Sequence, residues 1–189
     1  MAHTVAAPST SVMPTMAALI TAIREIVAAG RDPEQTAPAV AAVLAPALAG
    51  ADLLDLTQCE SDPANYRQHI LHVEPDGSFS IVALVWLPGQ ATPVHDHVCW
   101  CVVGVYRGEE FETRYEPRDA DGTAWLVEAG TATNPPGSTA ALVPPGDIHR
   151  VTNASAGLAI SLHVYGADIG VLGSSVRRCY DLEVRPAGE

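Results

Sequence analysis

From about residue 65 onward the chain is divided into short apolar runs separated by turn-forming residues. Val, Ile, Leu and Trp fill these runs, whereas Pro75, Gly77 and the Asp121-Gly122 pair stand between them. Many short strands separated by turns at intervals of about ten residues predict an antiparallel sandwich or barrel. The expected strands span residues 68–73, 79–87, 99–106, 111–115, 124–126, 139–142, 149–152 and 158–165.

The N-terminal part of the chain has a helical periodicity instead. Apolar residues within the range 15–29 recur at intervals of three and four, which predicts a helix, and Gly30 is placed to end it. Asp32 and Pro33 then predict the N-cap and the first residue of a second helix. This second helix is expected to run toward Leu48.

The charge of the chain excludes two classes of partner. The net charge is −12, and all ten basic residues other than histidine are arginines. Such a chain has no patch that could neutralise the phosphates of a nucleic acid or of an anionic membrane. No apolar run reaches the roughly 18 residues that would span a bilayer. The N-terminus also lacks the basic segment of a signal peptide, so a cytoplasmic protein with reduced cysteines is expected.

Three histidines have a spacing that suits one metal ion. His95 and His97 lie two residues apart between strand-like runs, and alternate residues of a strand share a face. His149 follows much later, at the start of another expected strand. Neutral imidazole suits Zn, Cu, Fe and Ni about equally, so the ligand type alone leaves the metal open.

Around these histidines the chain resembles the cupin superfamily. The first cupin motif, G-x5-H-x-H-x3,4-E-x6-G, is matched in register by Gly89, His95, His97 and Gly108. The end of the second motif, P-x-G-x2-H-x3-N, is matched by Pro144, Gly146, His149 and Asn153. The resemblance covers about residues 65 to 170. It implies a mostly β fold, a double-stranded β-helix or jelly-roll barrel, to which the predicted α-helices are added at the N-terminus.

One position departs from the first motif. Where most cupins have a glutamate ligand, this chain has Cys101. Cysteine dioxygenases are the cupin family in which cysteine, or glycine in many bacterial members, replaces that glutamate. The resemblance implies ferrous iron held by the three histidines without a protein carboxylate, and a thioether between Cys101 and Tyr165 as in animal-type members. Cys101 also has a purely structural interpretation, because free cysteine is often a small buried apolar residue.

The resemblance to cysteine dioxygenases extends to two further strands. The segment Ser161-Leu-His163-Val-Tyr165 is similar to the Ser-His-Tyr relay of that family, and its three polar residues would share one face of a strand. The segment Tyr66-Arg67-Gln68 resembles the substrate-binding strand. Longer segments, at 86–97, 146–150 and 163–167, resemble the bacterial branch that includes 3-mercaptopropionate dioxygenases.

The resemblance implies an Fe(II)-dependent thiol dioxygenase that adds both atoms of O2 to the sulfur of a small thiol. Tyr165, His163, Ser161 and Cys101 would then belong to the catalytic site. Two other classes remain open. Another metal-dependent cupin enzyme, such as an isomerase or a carbon-cleaving dioxygenase, would explain neither Cys101 nor the relay spacing. A non-catalytic cupin sensor would normally carry a DNA-binding motif or a second domain, which the acidic N-terminal region does not resemble.

The substrate-binding arginine is harder to place. Cysteine-specific members bind the substrate carboxylate with an arginine where this chain has Gln68, and a shift of one residue would point Arg67 away from the iron. The 3-mercaptopropionate type uses an arginine near Ser174, whereas Arg177 and Arg178 come a few residues later. Either would reach the pocket if that segment were helical. The expected substrate is a small thiol carboxylate, with 3-mercaptopropionate slightly favoured over L-cysteine.

The chain is long enough for one core with a short appendage. Residues 1–64 are expected to contain a disordered lead, at 1–11, and helices that cover the barrel. Residues 65–189 are expected to form the metal-binding cupin barrel, as a monomer or a homodimer.

Overall fold

The structure is a computed structural model that describes residues 15–50 and 52–186, so the expected disordered lead lies outside the described residues. The fold is mostly β with helices at the N-terminus, which confirms the predicted fold class. The helices are α1 (Met16–Ala28), α2 (Pro33–Ala47) and the short α3 (Ile169–Leu172). The strands are β1 (Arg67–Val73), β2 (Ser80–Trp86), β3 (His95–His97), β4 (Cys101–Arg107), β5 (Glu110–Ala120), β6 (Thr123–Asn134), β7 (Thr139–Leu142), β8 (His149–Asn153), β9 (Ala159–Tyr165), β10 (Val176–Cys179) and β11 (Val184–Arg185).

The strands of the described residues form two sheets. One sheet has the order β1-β2-β9-β4-β7 and the other β10-β3-β8-β5-β6-β11. All pairings within the described residues are antiparallel except that of β11 with β6. Each of the strands expected from the sequence is present. The pattern missed three strands: β3, which has only three residues, and β10 and β11, which are short and mostly exposed and therefore have no apolar alternation to reveal them.

Alternation along β2 and β9 separates the two faces of the five-stranded sheet. Val82 and Leu84 point into the barrel, as do the polar residues of β9, whereas Leu162 and Val164 pack with the N-terminal helices. All residues of β2 and β9 are buried, because both faces of this sheet are covered.

The helices α1 and α2 cover the outer face of this sheet. Leu19 and Ile23 of α1 and Leu44 of α2 belong to the same buried cluster as the outward residues of the sheet. The predicted N-cap is confirmed, since the Asp32 carboxylate accepts a 2.9 Å hydrogen bond from the Gln35 N–H. None of the helices in the described part of the chain is long and apolar enough to cross a bilayer.

The backbone at Gly108, the second glycine of the first motif, requires a glycine. Its φ of +75° lies in the left-handed region, and a Cβ placed there would lie 2.7 Å from the Ala159 Cα. Only glycine therefore allows β4 to turn into β5 against the start of β9. After this turn β5 pairs with β8, and its buried Glu112 contacts His149.

Candidate metal centre

The three histidines predicted as ligands meet on one inner face of the six-stranded sheet. His95 of β3 lies opposite His149 of β8, and His97 is the next inward residue of β3. The three ring centroids are 4.7–5.1 Å apart, and one ligand atom of each ring lies within 4.8 Å of the other two. All three side chains are buried. The geometry is that of a single three-imidazole metal site.

Each imidazole is oriented by an acceptor at its Nδ1. The His97 Nδ1 lies 2.9 Å from an Asp147 carboxylate oxygen, and the His149 Nδ1 lies 2.9 Å from a Glu112 oxygen. The His95 Nδ1 lies 3.0 Å from the Pro93 carbonyl oxygen. Because each Nδ1–H donates to its acceptor, the Nε2 lone pair of each neutral ring is left for a metal.

The residues present fit a divalent metal ion. The buried His149 Nε2 has no hydrogen-bond partner within the described ranges, as expected for an atom that completes its bonding with a metal. The cluster found among the described residues contains histidines alone, without a carboxylate or a thiolate. Such a site leaves the remaining coordination positions to exogenous ligands.

The electrostatics favour the neutral form of His95 and His149 and the ionised form of Glu112. Burial, reinforced by His149 and His97, lowers the pKa of His95 to about 3. The pKa of His149 is also lowered, mainly by burial. Burial is the largest single influence and would raise the pKa of Glu112, but the contributions of His149 and Arg114 together outweigh it, and that pKa is lowered. Neutral imidazole is the form that binds a metal.

The relay residues predicted on β9 form a continuous hydrogen-bonded chain toward the metal centre. The Ser161 Oγ lies 3.0 Å from the His163 Nε2, and the His163 Nδ1 lies 3.2 Å from the Tyr165 hydroxyl. Burial lowers the pKa of His163 to about 3, so its ring is neutral. The Tyr165 ring centroid lies 6.3 Å from that of His97, which places the end of the relay beside the metal site.

A match to a known family covers most of the chain. The sequence model described as Cysteine dioxygenase type I matches residues 1–170. The chain belongs to the cysteine dioxygenase type I family. Membership of this family confirms the resemblance in the sequence, and it supports a thiol dioxygenase of the cupin type with a metal at the three histidines.

Solved structures similar to this cysteine dioxygenase family member include other cupins. An RmlC-like cupin protein from Desulfovibrio desulfuricans is 19% identical, with 62% of this chain and 95% of that chain covered and a TM-score of 0.45. A protein with a double-stranded β-helix domain from Klebsiella pneumoniae is 15% identical, with coverages of 62% and 86% and a TM-score of 0.46. Oxalate oxidase in complex with glycolate is 21% identical, with coverages of 64% and 62% and a TM-score of 0.46.

Cys101, which stands in the glutamate slot of the cupin motif, does not belong to the histidine cluster of this family member. It is fully buried and its Sγ lies 3.9 Å from the His163 Nδ1. Burial, with a smaller contribution from Cys99, raises the pKa of the Cys101 thiol well above its ordinary value. Cys101 is therefore a neutral thiol beside the relay.

A pocket in this cysteine dioxygenase family member opens over the three histidines. Of the residues predicted for substrate binding, Tyr66 and Gln68 line it, and the Tyr66 ring stacks on Trp86 with centroids 4.5 Å apart. Arg67 points away, as the strand register predicts, and its guanidinium lies 3.1 Å from the Glu60 carboxylate. The lining residues are Tyr66, Gln68, Leu84, Trp86, Thr92, His95, His97, His149, Val151, His163, Tyr165, Ser174, Ser175 and Val176.

The arginines near the C-terminus do not line the pocket, because the segment that carries them is a strand and not the helix that would have brought one of them there. The segment forms β10, which pairs with β3. Arg177 forms an ion pair with the buried Asp96, to which the Tyr180 hydroxyl also donates a hydrogen bond of 2.7 Å. The Arg178 guanidinium lies 3.9 Å from the same carboxylate. Val176 faces the pocket, and the register shift of β10 between Val176 and Arg178 places both guanidinium groups beside Asp96 instead.

Sequence reasoning missed the residues that orient the ligands. Asp147 precedes His149 by two positions in the second motif. An acidic residue so close to a ligand histidine is a signal from which Asp147 could have been predicted. Glu112 carries no such signal, because it reaches His149 only through the pairing of β5 with β8. Ser174 and Ser175 enter the pocket through the pairing of β10 with β3, which the sequence does not reveal.

Proposed function

We propose that this protein is an iron-dependent thiol dioxygenase that converts a small thiol carboxylate, L-cysteine or 3-mercaptopropionate, and O2 to the corresponding sulfinic acid. One observation carries this proposal. In a member of the cysteine dioxygenase family, a three-imidazole site and the hydrogen-bonded chain Ser161–His163–Tyr165 lie together at one pocket.

Iron is proposed from the reaction, because imidazole ligands alone do not select it. Ferrous iron held by His95, His97 and His149 would bind the thiolate and O2 and would mediate the electron transfer between them. The thiol itself supplies the electrons, so no organic cofactor is required. Two oxygen atoms are added to sulfur and no other product is formed.

The pocket residues would position the substrate and limit its access to water. The apolar walls, Leu84, Trp86 and Val151, enclose the side of the pocket next to the histidines. The Tyr165 hydroxyl, held by His163, would donate a hydrogen bond to the group bound beside it. Tyr66 and Gln68 stand at the pocket as neutral donors for the far end of the substrate.

The pocket lining described above contains no arginine or lysine, which bears on the choice of substrate. A carboxylate held by neutral donors would forgo roughly 1.5–3 kcal/mol of hydrogen bonding to a charged group. Tyr66, Gln68 and the nearby serine hydroxyls would make these bonds instead. We therefore propose weak discrimination between the two thiols, with 3-mercaptopropionate slightly favoured.

The test is oxygen uptake by the iron-loaded protein with a panel of small thiols, with the sulfinic acid identified by mass spectrometry. Cysteine, 3-mercaptopropionate and the carboxylate-free thiol cysteamine separate the contribution of each substrate group. Zinc-loaded protein and His149→Ala serve as controls and should be inactive. Iron-loaded protein that consumes no O2 with any thiol would overturn the proposal in favour of a different cupin enzyme or a sensor.

A further inference from the structure

A buried carboxyl group stands at the inner end of the relay. Glu110, the first residue of β5, is 1% exposed, and its carboxyl group is a neighbour of the Ser161 hydroxyl. Its Oε1 has no hydrogen-bond partner in the described part of the chain. None of the ion pairs formed among the described residues includes Glu110. Burying an ionised carboxylate without a cation is unfavourable, which favours the protonated form of this side chain.

The neighbours of Glu110 favour its protonated form. A small cavity around it is lined by Glu112 of its own strand and by His149 and Val151 of β8. The other adjoining strands, β4, β6 and β7, supply only uncharged side chains, namely Val103, Asn134, Ala140 and Leu142. Burial, assisted by the nearby Glu112 and opposed by the Ser161 hydrogen bond, raises the pKa of Glu110 to about 7.

The Ser161 hydroxyl has three polar neighbours and one hydrogen atom. The Trp86 indole N–H donates to its oxygen over 3.2 Å, which uses one acceptor position. The His163 Nε2 and the Glu110 carboxyl are the two remaining neighbours. The single hydroxyl hydrogen points to one of them, and the other must then donate to Ser161.

This restriction leaves two arrangements of the whole chain. If Glu110 is protonated and donates, Ser161 donates to the His163 Nε2, the imidazole proton lies on Nδ1, and Tyr165 accepts it. The phenolic hydrogen is then directed toward the pocket, where Ser175 is its neighbour. If Glu110 is ionised and accepts, every bond reverses, and the Tyr165 hydrogen points inward to His163.

We propose that Glu110 is a positioning residue of the relay: as a carboxylic acid it donates to Ser161, fixes the proton of His163 on Nδ1 and thereby directs the Tyr165 hydroxyl hydrogen toward the metal pocket. The importance of that direction for turnover rests on the proposed function. The direction itself is a property of this chain and does not require a metal or a thiol.

The experiment measures the proton position on His163 in the metal-free protein by 15N NMR of histidine-labelled samples, at pH 6 and at pH 8.5. A His163→Gln sample assigns the signals. In the wild type the proton should lie on Nδ1 at the lower pH and move to Nε2 at the higher pH. In Glu110→Gln and Glu110→Leu the proton position should be the same at both pH values, because neither side chain ionises. Glu109→Gln, one residue away and outside the relay, should behave as the wild type.

A second measurement follows kcat against pH in the iron-loaded protein. The wild type should lose roughly tenfold per pH unit above the pKa of Glu110, whereas Glu110→Gln should not show this loss. A His163 proton position that is the same in the wild type and Glu110→Gln at both pH values would overturn the proposal, even if Glu110→Leu fails to fold. The expected NMR result without any thiol oxidation would leave the proposal standing and overturn the proposed function instead.

Discussion

Cys101 lies directly opposite Tyr165 in the antiparallel pair of β4 and β9. Opposed residues on one face of such a pair bring their Cβ atoms to about 5 Å, which is contact distance for a thiol and a phenol ring. Both side chains are buried, and burial raises the pKa of the Cys101 thiol and of the Tyr165 phenol well above their ordinary values. The pair is therefore a neutral thiol against a neutral phenol at the edge of the metal site.

The first prediction is a thioether between Cys101 and Tyr165 after aerobic turnover. An S–H and a ring C–H bond are broken, a C–S bond forms, and O2 accepts the two electrons and two protons. Intact-mass analysis should show the loss of two hydrogen atoms, and peptide mapping should join the two segments. The loss should persist in Cys99→Ala and vanish in Cys101→Ala. A fully active sample in which all Cys101 is a free thiol would contradict the prediction.

The second prediction concerns the metal ligands. Alanine in place of His95, His97 or His149 should remove most of the iron, because two imidazoles remain where three converge. Metal content per chain, measured by elemental analysis, should fall while the far-UV circular dichroism stays close to that of the wild type. His69→Ala, whose imidazole contacts the Glu60 carbonyl outside the site, should retain full iron. Full iron occupancy in His149→Ala would exclude His149 as a ligand.

The third prediction concerns the carboxylates that orient the ligands. Asp147→Asn and Glu112→Gln should each weaken metal binding by about 10–100-fold, because the neutral amide holds its imidazole less firmly and lowers its basicity. Competition with a chelator of known affinity measures this change. Glu116→Gln, on the same strand as Glu112 but exposed and paired with Arg118, is the matched control. Equal affinities in all three variants would refute the orienting role.

The fourth prediction concerns substrate binding. Arg67→Ala and Arg178→Ala should change kcat/KM for either thiol by less than about threefold, under 1 kcal/mol, because neither residue lines the pocket. Gln68→Ala should raise KM about 2–10-fold, the effect of losing one neutral hydrogen bond. Arg177→Ala should instead lower the melting temperature, since it removes the nearer of the two guanidinium groups that pair with the buried Asp96. Activity abolished by Arg67→Ala alone would show that the β1 register is wrong.

The fifth prediction concerns stability against pH in the metal-free protein. Native His95 and His163 have pKa values of about 3, against 6.5 in the unfolded chain, so unfolding takes up protons below pH 6.5. Their contribution to the unfolding free energy is present above pH 6.5 and is lost as the pH falls toward 3, by up to about 1.4 kcal/mol per pH unit for each histidine.

Glu110 acts in the opposite direction. Its native pKa is about 7, against 4.5 in the unfolded chain, so its contribution is lost as the pH rises between these values. In Glu110→Gln the rise of unfolding free energy between about pH 4.5 and 6.5 should therefore be steeper by up to one proton. Denaturant unfolding at several pH values measures both slopes. Parallel curves for the wild type and Glu110→Gln would show that Glu110 titrates normally.

The local patterns of the chain determined most of its strands and its metal ligands. A strand that is buried on both faces is revealed by a short run of mostly apolar residues between turn residues, as β2 and β9 are. His95, His97 and His149 stand at motif spacings that are independent of the rest of the fold. The N-cap at Asp32 could also be predicted from the sequence, because a cap depends on the three residues that follow it.

Tertiary structure decided what depends on pairing between distant strands. The outward direction of Arg177 follows from the pairing of β10 with β3, and the contacts of Glu112 with His149 and of Glu110 with Ser161 follow from the way β5 closes against β8 and β9. None of these partners is near the other in sequence, and a polar side chain carries no periodicity of its own. The chain thus specifies its ligands locally, whereas the residues that orient them and their protons are specified only when the barrel closes.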